Sequence, residues 1–201
     1  MGTRSIIVIT GQARYGQGHE TVRLYKHWDG YPTENLPIIA QAVARMEKSI
    51  TDQPEPFRSK YPSVEGLTGM VIGEASSCYG MGAQVDEDDH GRGTKARFAE
   101  AFDPKHLGMQ SDLEWIYVVD AEARSVAVYG GEYTGEVPQK AFKRGPVNPM
   151  AFVQRLRTDY QECGRSQIGE AIATLEASGW KLAEKPKRTR KPKVAAVPAS
   201  V

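Results

Sequence analysis

Side chains able to do chemistry are densest at His27-Trp28-Asp29-Gly30-Tyr31-Pro32, where an imidazole, an indole, a carboxylate and a phenol fall within five positions. At the end of a strand such groups commonly line a pocket. His27 is then a candidate general base, Asp29 a group that orients it or holds a ligand, Tyr31 a third catalytic candidate and Trp28 a binding residue. The competing reading is a structural corner: Trp28 fills the core, Asp29 and Gly30 make a turn, and Pro32 stops the strand. A second concentration, Asp86-Glu87-Asp88-Asp89-His90, offers oxygen and imidazole ligands suited to a hard cation, with Asp86, Asp88 and His90 the candidates. It lacks the spaced Asp-x-Asp-x-Asp-Gly order, and consecutive residues seldom converge on one ion. It therefore reads as a solvated acidic loop, and neither a metal nor a cofactor is assigned.

The remaining motifs are weaker. Gly11 to Gly18 holds three glycines, but a phosphate loop needs Lys and then Ser or Thr where this chain has Gln17 and Gly18. His19 and His106 have no partner at ligand spacing. Cys78 and Cys163 are far apart, form no CxxC pair and read as partly buried thiols of a reducing compartment. Trp115 and Tyr117 share one hairpin face, where stacking on bases competes with ordinary packing. No nucleophile, base and acid can be assembled from spacing, so the chain reads as a binder more than an enzyme.

These residues need elements to hold them. Ser5–Thr10 is a β-branched run that suits a strand buried on both faces, and Thr21–Trp28 alternates at period two, so the pair predicts a hairpin with a long loop. Ile38, Ile39, Ala42, Val43, Met46 and Ile50 recur at helical spacing behind Asn35 as cap and Pro37 in the first turn. Ser63 caps a second helix carrying Val64, Leu67 and Val71, although glycines at 66, 69 and 73 weaken it. Residues 79–111 show little periodicity, with a short helix expected around Thr94–Ala101. Leu113–Asp120 and Arg124–Tyr129 flank a polar turn and form the clearest hairpin. Asn148 and Pro149 open a helix with Phe152, Val153, Leu156 and Tyr160 on one stripe, ended by Gly164. Ser166 opens another, closed by Gly179. Strands that do not alternate strictly with helices imply an α+β fold, a small antiparallel sheet of hairpins packed against about four helices.

A chain of 201 residues with 40% hydrophobic content suits one domain, here 1–182, followed by a tail over 183–201. No apolar run is long enough to span a bilayer, and the first residues lack a signal-peptide core. The formal charge of +1 conceals a division. Between Lys181 and Lys193 there are seven basic residues against Glu184 alone, so this run carries +6 and residues 1–180 carry −5. With Pro186, Pro192 and Pro198 interleaved, the tail is expected to be disordered, and Lys185, Lys187, Arg188, Arg190, Lys191 and Lys193 to contact a polyanion. A purely solubilising tail is the alternative.

The opening Met1-Gly-Thr-Arg-Ser5 and the Tyr25-Lys-His-Trp-Asp-Gly-Tyr-Pro32 corner resemble an uncharacterised family of bacterial and phage proteins, and Asp112–Asp120 looks like that family's later strand pair. The resemblance covers the first forty residues well and the hairpin loosely. It carries no activity. What it implies is a small cytoplasmic protein of phage or prophage type that binds a host protein or nucleic acid and redirects host machinery. The alternatives are a small hydrolase or nucleotide-processing enzyme using His27 and Asp29, and a nucleic-acid binder acting through the tail.

Overall fold

The structure, a computed structural model, describes residues 5–12, 18–26, 30–55, 58–79, 97–98, 114–130 and 145–184. The chain runs β1 (Ser5–Gln12), β2 (His19–Lys26), α1 (Pro32–Thr51), α2 (Val64–Tyr79), β3 (Arg97–Phe98), β4 (Trp115–Asp120), β5 (Ser125–Gly130), α3 (Met150–Val153), α4 (Thr158–Ala177) and β6 (Lys181–Leu182). The strands form one sheet in the order β3-β2-β1-β4-β5-β6. Both expected hairpins are present, Ser5 facing Lys26 in the first and Asp120 facing Ser125 in the second.

The sheet is nevertheless mixed and not the antiparallel one expected from hairpins alone. β1 pairs with β4 in parallel, Ile7 opposite Tyr117, and β5 pairs with β6 in parallel. A parallel neighbour requires a long crossover, and the segment containing α1 and α2 provides one by returning the chain to the start of β4. Around 97–98 the expected short helix is replaced by β3, which pairs with β2.

Helices cover one face of the sheet. Ile7, Ile9, Val22, Leu24, Trp115, Tyr117 and Val119 share a core with Leu36, Ile39 and Val43 of α1, Leu67 of α2, and Ile168 and Leu175 of α4. On the opposite face Ile6, Val8 and Ile116 form a second buried cluster with Val118 and Tyr129 packed beside it. β1 is thus buried on both faces, which is why its sequence reads as a continuous apolar run.

Helix starts and stops differ from expectation in two places. α1 begins at Pro32, with Tyr31 in extended backbone as its N-cap, and Asn35 lies one turn inside. Proline fits the first helical position because its missing N–H would have had no partner there. α4 runs through Gly164 unbroken, while the real break falls between α3 and α4. A Cβ on Gly164 would lie 3.0 Å from Leu156 Cδ1 and 3.3 Å from Thr33 Cγ2, so this glycine admits a close approach and does not end the helix. Ser63 does cap α2, its Oγ accepting the Gly66 N–H at 3.1 Å. Gly179 closes α4 at φ +76°.

Candidate functional site

The corner at residues 27–32 sits where β2 gives way to α1, and its described part is Gly30, Tyr31 and Pro32. His27, Trp28 and Asp29 lie outside the described residues. So do Asp86, Asp88 and His90, and the cations Lys185, Lys187, Arg188, Arg190, Lys191 and Lys193. What surrounds the described part is a packed polar knot. The Gly30 carbonyl accepts a hydrogen bond from the Tyr117 hydroxyl at 2.8 Å and another from Asn35 Nδ2 at 3.2 Å. Asn35 Nδ2 also donates to Ser5 Oγ at 3.0 Å. Ser5, Asn35 and Tyr117 are each fully buried, so these bonds satisfy groups that would otherwise be costly to desolvate.

Asn35, expected to cap α1, therefore ties the corner to the first residue of β1 and to β4. Burial pushes the Tyr117 hydroxyl well above the ordinary tyrosine range, a shift that its hydrogen bond with Asn35 opposes. Tyr31, a catalytic candidate, is engaged in packing. Its ring stacks on Phe152 with centroids 5.3 Å apart, and Phe152 meets Trp115 edge-on at 5.4 Å. The Tyr31 carbonyl accepts the Glu34 and Asn35 N–H groups of the first helical turn. Trp115 and Tyr117 are 3% and 0% exposed, which makes them core residues and not platforms for bases.

The opposite end of the sheet holds a feature that sequence reasoning missed. β1 and β4 lie parallel, and beyond their carboxyl ends the chain turns away in opposite directions, toward β2 and toward β5. Such a divergence leaves a crevice. Thr10, Gly11, His19, Asp120, Glu122 and Ala123 line a cleft there of about 240 Å³. His19 Nε2 is 3.7 Å from Glu122 Oε2, and Gln12 Nε2 donates to Glu122 Oε1 at 3.4 Å. Asp120 Oδ1 accepts the Glu122 and Ala123 N–H groups and so shapes the β4–β5 turn. Thr10 Oγ1 lies 3.1 Å from Thr21 Oγ1 and donates to the Glu20 carbonyl.

His19 looks partnerless in the sequence because Glu122 is brought to it only by the β1–β4 pairing. Among the described residues no group of three or more His, Cys, Asp or Glu is gathered closely enough to hold a metal ion. Cys163, expected to be partly buried, is exposed. Nor is any described helix long and apolar enough to cross a membrane.

A third polar node joins three elements. Glu47 of α1 accepts from Trp180 Nε1 at 2.8 Å and from Arg124 Nε and Nη2 at 2.9 and 3.2 Å. Trp180 is 2% exposed and stands between α4 and β6. After it, Lys181 N–H donates to the Arg124 carbonyl and Ala183 N–H to the Val126 carbonyl. The root of the cationic run is thereby fixed to the sheet edge.

Comparison with known protein families, with curated proteins and with solved structures finds no match.

Proposed function

We propose that the protein acts by binding a host macromolecule in a phage or prophage setting, with the cationic run as the contact and nucleic acid as the partner class. The observation that carries this reading is the mounting of the run. A segment bearing +6 continues from an edge strand hydrogen-bonded to β5, on a body bearing −5. A polycation whose root is fixed at one point suits a phosphate backbone, since each neutralised phosphate releases a counterion. The same charge division in the body repels the polyanion and confines contact to the run. The packing of Tyr31 and Gly30 supports a structural corner in preference to a catalytic one.

Fluorescence anisotropy with a labelled duplex oligonucleotide tests the proposal on the full chain. Binding should fall by about three orders of magnitude between about 50 and 200 mM salt if all six cations contact phosphates. Substituting Lys185→Gln, Lys187→Gln, Arg188→Gln, Arg190→Gln, Lys191→Gln and Lys193→Gln together should abolish it. Equal binding by that variant, or a partner captured in nuclease-treated lysate that the variant still holds, would overturn the assignment.

A further inference from the structure

α1 and α4 lie side by side and point the same way: Thr33 approaches Gly164 near one end, and Glu47 bonds Trp180 near the other. Between them runs a groove of about 480 Å³. Its floor is Ile38 and Ala171, each 3% exposed. Its rim includes Glu34, Gln41, Gln167 and Glu170, and among the described residues no Lys or Arg lines it. Pro37 has no N–H to return to the Thr33 carbonyl, so the turn that borders the groove lacks one helical hydrogen bond. The groove thus combines two carboxylates and two side-chain amides over an apolar floor. Those features suit a cationic, proline-containing strand of peptide.

Such a strand exists in the same chain. Lys185-Pro-Lys-Arg-Thr-Arg-Lys-Pro-Lys193 carries six cations in nine residues, and it follows closely on β6, which itself follows α4. β6 is parallel to β5 and β5 antiparallel to β4. Nine extended residues reach about 30 Å, comparable with the length of a 20-residue helix such as α4. The run is therefore long enough to return alongside α4 as far as Gln167. Tethering gives it an effective concentration in the millimolar range at a neighbouring site, enough for contacts that are individually weak.

We propose that the α1–α4 groove receives residues 185–193 of its own chain, holding the cationic run against Glu34 and Glu170 until a polyanion displaces it. The consequence for affinity rests on the nucleic-acid reading above; the docking itself does not.

Backbone amide NMR and anisotropy on full-length protein separate the two. Neutralising the six cations with glutamine should shift the amides of Glu34, Ile38, Gln41, Gln167, Glu170 and Thr174 while leaving those of β4 in place. A synthetic peptide of residues 185–193, added to that variant, should restore them. In the Glu34→Gln/Glu170→Gln chain the oligonucleotide Kd at about 50 mM salt should tighten about fivefold, because two exposed ion pairs no longer compete. Unmoved groove amides in the neutralised chain, or peptide-induced shifts centred elsewhere, would overturn the docking even if the run binds DNA. Shifted groove amides without oligonucleotide binding would retain the docking and remove the nucleic-acid reading.

Discussion

Glu47 holds together two parts of the chain that are distant in sequence. It accepts the indole N–H of Trp180 and anchors Arg124, whose backbone sits at φ +46° in the tight β4–β5 turn. A non-glycine residue is uncommon in that region, and the paired guanidinium helps to hold it there. Glu47→Ala leaves a buried N–H without an acceptor, a loss of about 1–3 kcal/mol. Glu47→Gln keeps an oxygen for Trp180 and should cost less. Urea melts followed by tryptophan fluorescence would measure both, and a Glu47→Ala chain as stable as the parent would refute the role. Nothing in the sequence singles out Glu47, because its two partners lie 77 and 133 positions away.

Hairpins and helices were readable from local pattern, since alternation and helical spacing depend on near neighbours alone. How β1 meets β4 was not. Their parallel contact ends where Gly11 faces Ala121, and a Cβ on Gly11 would lie 2.8 Å from the Ala121 Cβ. The Ala121 N–H also bonds the Thr10 carbonyl at 2.8 Å. The glycine run at residues 11–18 looks like loop chemistry, yet its first member belongs to a strand and serves close packing. Gly11→Ala should destabilise by about 1–3 kcal/mol through overpacking. Adding Ala121→Gly should recover most of that, giving a coupling energy in a double-mutant cycle. Additive effects would show that the two residues do not press on each other. The same argument explains Gly164, whose composition signals a helix stop while its neighbours demand a gap.

For the molecule as a whole, the buried tyrosines link stability to alkaline pH. Burial raises the hydroxyl of Tyr117 strongly and that of half-buried Tyr129 less. In the unfolded chain both ionise near pH 10. Above that pH the unfolded state binds fewer protons than the folded one, so stability falls as pH rises. Below it the full contribution is present. Thermal melts should hold their midpoint up to about pH 9 and drop beyond pH 10. Tyr117→Phe should lower the neutral-pH midpoint, through the lost bond to Gly30, and flatten the alkaline decline. An unchanged alkaline slope in that variant would exclude Tyr117 as a source of the linkage.

The charge division, the two hairpins, the helical stripes and the cap at Ser63 are all set by residues close together along the chain, so their physics is visible in the order of side chains. The parallel β1–β4 seam, the meeting of His19 with Glu122, the knot that joins Ser5, Gly30, Asn35 and Tyr117, and the groove between α1 and α4 arise from segments separated by tens of residues. Local preference cannot specify which distant strand becomes a neighbour; the burial of both faces of β1 and the crossover that follows it do.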